Sequence, residues 1–124
     1  MAWTADELER IGDAEELQVS SRRRDGSLRP FVTIWVVVVA GAVYIRSAYG
    51  PDNGWYRRAK AAGTGRIRAG GVERDVTFTP GDPAENEAVD GAYRDKYAAH
   101  PASIVATVVG EPAGSTTLRV SPES

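Results

Sequence analysis

Every residue from 31 to 39 except Thr33 is apolar, and Val and Ile dominate the run. Such a segment must hide both of its faces, and stiff β-branched side chains favour the pleated strand for doing so. The full apolar stretch, residues 30–45, lies between Arg29 and Arg46 and falls short of the roughly 20 residues that span a bilayer as a helix. Ala40-Gly41 interrupts it with two small residues suited to a tight turn. The stretch therefore reads as a buried β-hairpin, with residues 31–39 forming a strand in the middle of a sheet covered on both sides. A two-residue loop sets Trp35 opposite Arg46 and Val37 opposite Tyr44 on one face. It sets Ile34 opposite Ser47 and Val36 opposite Ile45 on the other. A three-residue loop instead brings Trp35 opposite Ser47.

Signals on either side build a domain around this hairpin. Thr4-Ala5-Asp6-Glu7 is a capping box, predicting a short helix with Leu8 and Ile11 inward and its end at Gly12. Leu17, Val19 and Ser21 alternate as in a strand, and Asp25-Gly26 is a hairpin turn leading into the apolar run. Residues 55–62 read as a helix that Asp52 or Asn53 can cap and Gly63 can stop. Around Gly70-Gly71 a second hairpin opposes Arg68 to Glu73 and Arg66 to Asp75, with Ile67, Val72, Val76 and Phe78 on its apolar side. Asp82-Pro83-Ala84-Glu85 starts a helix whose inward positions include Val89, Tyr93, Lys96 and Tyr97, and His100-Pro101 ends it. Ile104, Val105, Val108 and Val109 also carry helical spacing, and residues 116–120 read as a closing strand. The fold class is α+β: one domain over residues 1–124, a small barrel of about six antiparallel strands with short flanking helices, since closure removes sheet edges.

Composition narrows the chemistry. The chain has no cysteine and a single histidine, His100, which excludes thiol catalysis, thiolate metal centres and His-rich metal sites, so no metal is expected. A net charge of −2 excludes a general nucleic-acid binder. The acidic N-terminus lacks the apolar core of a signal peptide, so no membrane partner and a cytoplasmic location are expected. Against this acidic background, residues 46–60 carry Arg46, Arg57, Arg58 and Lys60 with Asp52 as their only carboxylate. A strand-end Arg46 and Ser47 beside a helix start make a phosphate or carboxylate site, with Arg57 or Arg58 adding charge. Equally, the helix cations form a solvated face and Arg46 packs on Trp35. Asp90, Tyr93 and Tyr97 share one helical face. They read as a cap and two core rings, or as proton-handling catalytic groups at a pocket mouth.

The segments Arg29-Pro30 through Trp35, Tyr44-Ile45-Arg46-Ser47, Trp55-Tyr56-Arg57-Arg58 and Gly65-Arg66-Ile67 together resemble a bacterial family of small proteins catalogued as a domain of unknown function. So do the run from Asp90 to Tyr97 and the Thr-Thr-Leu-Arg-Val-Ser-Pro of residues 116–122. The order of elements more distantly resembles the pyridoxamine-phosphate-oxidase-like split barrel, whose members include flavin and deazaflavin reductases. That resemblance implies a split barrel, an FMN or deazaflavin cofactor, a small-molecule substrate and a homodimer with the cofactor at the subunit interface. It places the phosphate contacts at Arg46, Ser47 and Arg57 or Arg58, with Trp35 and Trp55 beside the ring. Where that superfamily commonly has Ser-x-Lys, this chain has Trp55-Tyr56-Arg57. The expected function is a flavin- or deazaflavin-linked oxidoreductase. Two alternatives stand beside it: a cofactor-free isomerase or cyclase using Asp90, Tyr93 or Tyr97, and a non-catalytic module binding an anionic metabolite.

Overall fold

The apolar run forms two strands, not one, and they lie at opposite edges of the sheet. A computed structural model describes residues 2–123. In chain order its elements are α1 (Ala5–Asp13), β1 (Leu17–Ser21), β2 (Val32–Ile34), β3 (Val37–Val39), β4 (Ala42–Ile45), α2 (Gly54–Ala62), β5 (Thr64–Ala69), β6 (Val72–Pro80), α3 (Asn86–Lys96), α4 (Ala102–Val105) and β7 (Leu118–Pro122), with short 3-10 turns before α3, after α4 and before β7. The seven strands form one antiparallel sheet in the order β2-β1-β5-β6-β7-β4-β3. β2 and β3 therefore end the sheet on opposite sides, yet only Trp35 and Val36 separate them along the chain. Three residue steps reach about 11 Å at most, so the sheet must curl until its edges nearly meet. The result is a split barrel with short flanking helices.

The expectation of a central strand over residues 31–39 is thus corrected. Val37 does face Tyr44 across the tight turn, but Ile34 pairs with Leu17 of β1 rather than with Ser47. Trp35 and Val36 leave the ladders, so neither pairs with Arg46 or Ile45 as expected. The run needs cover on both faces because it crosses the barrel's seam, where α3 and the barrel interior take up opposite sides. The backbone freed there is satisfied by side chains, as buried polar groups require. The Val36 N–H donates to the Tyr97 hydroxyl at 3.0 Å, and the Val36 carbonyl accepts from Lys96 Nζ at 2.8 Å. The Tyr97 hydroxyl proton is directed at the carbonyls of Glu15, 2.8 Å away, and Val36, at 3.1 Å. The Trp35 ring stacks on the Tyr97 ring with centroids 3.9 Å apart and planes within 4°. The C-terminal end of α3 is the stitch that closes the barrel.

Two cores follow from this closure. Inside the barrel, Leu17, Val19, Val36, Val43, Ile45 and Ile67 are buried together with the inward face of β6 and β7. α1 adds Ile11 and α2 adds Tyr56 and Ala59 to that core. Outside it, Val37 and Tyr44 pack against Val89, Tyr93 and Tyr97 of α3 and Val105 and Val108 beyond it. Alternation along β4 sends Val43 and Ile45 inward and Tyr44 outward, so Arg46 follows on the outer side, under α3. The predicted capping box of α1 and the αL stop at Gly63 are present, as is the register of Arg68 on Glu73 and Arg66 on Asp75. The turn Ala40-Gly41 has positive φ at both residues, as a tight hairpin requires. Gly65 lets β1 approach β5, since a Cβ there would stand 2.0 Å from the Ser20 carbonyl oxygen. The closing strand begins at Leu118, two residues later than expected, because Thr116 is held in a 3-10 turn.

If the seam depends on the Tyr97 hydroxyl, Tyr97→Phe leaves the buried Val36 N–H unpaired and costs about 1–3 kcal/mol in urea unfolding. Tyr49→Phe, on a ring 79% exposed, changes stability by less than about 0.5 kcal/mol.

Candidate functional site

Arg46 leaves the end of β4 with its side chain fully buried, and four acceptors from three segments converge on its guanidinium. Nη1 pairs with the Asp90 carboxylate of α3 and donates to the Val108 carbonyl at 2.8 Å. Nε donates to Thr117 Oγ1 at 2.8 Å and Nη2 to the Asn86 carbonyl at 3.2 Å. Four of its five N–H groups are thus held by internal acceptors. Asp90 also accepts from the Gly110 N–H at 3.1 Å, which ties the turn after Val109 to α3. A buried cation is tolerable only when paired and hydrogen-bonded in this way. Arg46 meets an anion and an aromatic face: its Cζ stands 5.7 Å over the Tyr93 ring.

The three groups read as proton handlers share α3 but not a cavity. The Tyr93 hydroxyl is sealed in the outer core with no hydrogen-bond partner among the described residues. Burial pushes its phenol well above the usual tyrosine range, with the Arg46 charge pulling the other way. The Tyr97 hydroxyl stitches the seam, and burial raises it to about 12. Asp90 is the counter-ion of Arg46. A further phenol, Tyr44, donates to Glu85 and is likewise pushed up to about 12, first by burial and then by that carboxylate.

Ser47 and the loop after it shape an open cleft of about 440 Å³. The Ser47 N–H donates to Thr116 Oγ1 at 2.9 Å, and its hydroxyl donates to the Gly50 carbonyl. Asn53, expected to cap α2, instead donates to Ser47 Oγ at 2.8 Å and the Ala48 carbonyl at 2.7 Å. The loop so pinned carries Tyr49, a non-glycine residue at φ 68, to the cleft's edge. Val32, Ile34, Trp35, Trp55 and Val108 give the cleft apolar walls, and Arg46, Asn53 and Thr107 add polar groups. Trp35 lies between β2 and β3 and Trp55 on α2, and the fold brings them to one hollow with Arg46. They frame the space without filling it.

Arg57 and Arg58 lie elsewhere. They line a groove of about 380 Å³ with Arg22, Arg23, Arg24 and Arg29 of the β1–β2 connection. A narrow seam lined by Arg29, Arg58 and Trp55 lies between groove and cleft. Closeness in sequence groups Arg57 and Arg58 with Arg46, whereas the fold sets them beside residues 22–24. Three consecutive arginines in a turn were a visible signal. Tyr49, Ile104 and Thr107 of the cleft carried none, because they meet only through tertiary packing. Among the described residues no cluster of His, Cys, Asp or Glu could hold a metal ion, and no helix is long and apolar enough to cross a membrane.

Asp90→Ala should cost about 3–5 kcal/mol in urea unfolding, because it strands a buried guanidinium, and the double variant Arg46→Met with Asp90→Leu should recover part of the loss. Arg68→Ala, at an exposed pair, should cost under about 1 kcal/mol. The raised phenols set a second expectation. Their contribution to stability is full below the ordinary tyrosine value of about 10 and is lost as pH rises toward 12. Denaturant unfolding at stepped alkaline pH should show that decline, and Tyr44→Phe should make it shallower.

The fold has counterparts among solved structures. One described as an F420 reductase is 13% identical, with a TM-score of 0.58, covering 94% of this chain and 92% of that one. One described as a domain-swapped dimer is 19% identical at a TM-score of 0.62, covering 95% and 87%. A FAD-binding protein from Mesorhizobium loti is 15% identical at 0.54, covering 98% and 91%. At these identities the likeness establishes the split-barrel fold. No curated protein matches the chain in sequence. Residues 7–120 match a family described as an uncharacterized protein conserved in bacteria (DUF2255), and the chain belongs to that family.

Proposed function

We propose that this protein binds a flavin-type cofactor, FMN or a deazaflavin, and serves as an oxidoreductase for a small organic substrate. The observation that carries the reading is the cleft between Trp35 and Trp55, whose volume and apolar walls suit a planar ring. The likeness of the fold to an F420 reductase and a FAD-binding protein supports it.

The residues present fit such a group in a particular way. Indole walls offer stacking faces to a ring, and Asn53 and Thr107 offer polar atoms at its edge. Arg46 borders the cleft but offers it little charge or free donor capacity, since Asp90 neutralises it and internal acceptors hold it. Cations for a cofactor's anionic arm come instead from Arg29 and Arg58, which flank the narrow seam beside Trp55. Bound there, the cofactor supplies hydride chemistry, and the chain's part is to bind, orient and exclude water. The only large apolar side chains left exposed among the described residues, Tyr49 and Ile104, both line this cleft. A second copy of the chain would cover them, so the reading includes a homodimer. The similarity to a domain-swapped dimer agrees with it.

A cofactor-free isomerase or cyclase would need a proton donor opening onto a cavity, and neither Asp90, Tyr93 nor Tyr97 lines the cleft. No observation favours that second reading.

Titration with FMN and with a deazaflavin, followed by tryptophan fluorescence and thermal unfolding, tests the proposal. Binding should quench the indoles and, at a hundredfold excess over Kd, add about 2.7 kcal/mol of stability. Trp55→Ala should weaken it, as should Arg58→Gln for the phosphorylated ligand but not for riboflavin. No quenching and no thermal shift with either cofactor at saturation overturns the reading.

A further inference from the structure

Six arginines face one groove on a protein whose net charge is −2. Two of the six serve the β1–β2 turn. Arg22 pairs with Asp75 at 3.0 Å and donates to the Gly26 carbonyl, and Arg23 donates to the Leu28 carbonyl at 3.0 Å. Asp25, the carboxylate nearest in sequence, accepts from the N–H and the hydroxyl of Ser27. Those bonds, with a smaller pull from Arg23, hold it below the usual carboxylate range, and among the described residues it pairs with none of the groove arginines. Arg24, Arg29, Arg57 and Arg58 form no ion pair and no side-chain hydrogen bond among the described residues.

The helix on the other wall sharpens this imbalance. Helix N-termini favour acidic side chains, because their free N–H groups present positive potential. The early turns of α2 carry Arg57 and Arg58 and no acid. The Arg58 guanidinium lies back against the helix start, where a Cβ on Gly54 would stand 2.7 Å from its Nη1. Like charges gathered at a positive helix end raise the energy of the free protein, and a bound anion relieves it. No aromatic ring lines the groove, so a nucleobase or a flavin ring finds no stacking face there. Guanidinium forks on two walls suit closely spaced phosphate oxygens, each fork able to bind them bidentately.

From this we infer a second binding site, formed by the β1–β2 connection and α2, for a small molecule bearing two or more adjacent phosphate groups. It adjoins the indole cleft, sharing Arg29 and Arg58 with the seam between them, but Arg22, Arg23, Arg24 and Arg57 belong to the groove alone, and the inference does not rest on the flavin reading. Phosphate recognition is its whole chemistry: the groove supplies charge and donors, and the organic part of the ligand lies outside it.

Isothermal titration at constant ionic strength tests this, with inorganic pyrophosphate and orthophosphate as probes. Pyrophosphate should bind at least about tenfold more tightly than orthophosphate, since it engages both walls at once. The double variant Arg24→Gln, Arg57→Gln should lose about tenfold in pyrophosphate affinity, while Arg94→Gln, an exposed cation on α3, should leave it unchanged. Arg24 and Arg57 are exposed, so an unaltered thermal midpoint verifies that the double variant is folded. Equal affinity for the two probes overturns the site, as does an equal loss in the groove and control variants, which would reduce it to general surface charge. Arg24 and Arg57 lie outside the seam that serves a flavin's arm, so loss in their double variant reports on this groove and not on whether a flavin binds the cleft.

Discussion

A buried guanidinium must be answered on every side, and that requirement organises the outer half of this protein. Arg46 sits where β4 ends, and its acceptors come from α3, from the turn after α4 and from the threonine before β7. The segments beyond α3 are short: α4 has four residues and the stretch before β7 ends in a four-residue 3-10 turn. A charge pair of this kind contributes little net stability over an apolar substitute of the same shape, but it penalises any arrangement that leaves one partner unpaired. The pair therefore acts as a specification. It fixes where α3 lies on the barrel and hence where Lys96 and Tyr97 reach the seam.

The seam is the second consequence. Joining edge strands through two residues leaves backbone groups that no ladder can satisfy, and water cannot reach a buried Val36. Tyr97 and Lys96 stand in for the missing strand partner. Burial draws the Lys96 ammonium below its ordinary value, with Glu15 and Asp13 opposing. The same closure creates the cleft, because a split in a barrel, walled by Trp35 on one side and by the loop after Ser47 on the other, is a hollow by construction. Folding and site formation are thus one event here.

Local rules were legible in the sequence wherever both partners lay close along the chain. The Thr4–Glu7 box, the stop at Gly63, the tight turn at Ala40-Gly41 and the β5–β6 register all depend on short-range chemistry, and each is present. The split of residues 31–39 was not legible, since a run apolar on both faces looks the same whether it is one central strand or two edge strands bridging a seam. Only the pairing of Ile34 with Leu17, set by the preceding hairpin, distinguishes them. At the site, Arg46 was recognisable as a cation leaving a buried strand, but its carboxylate lies 44 residues away. The choice among anion, ring and water waited on topology. The arginines at 22–24 are legible as charge, but their alignment with α2 depends on tertiary packing.

The two sets of arginines show how burial decides what a cation does. Arg46 has lost its water, and the fold supplies acceptors in return, so little of its capacity is left for a ligand. The groove arginines keep their water, and the fold supplies most of them with nothing. In a hydrated groove each charge alone is worth little, because solvent screens it. Several cations that outnumber the acids beside them focus potential in a way that single surface pairs do not, and concave walls strengthen that focusing. Sequence proximity grouped Arg57 and Arg58 with Arg46. The fold instead partitions them across Trp55, giving one guanidinium to architecture and leaving the others facing solvent.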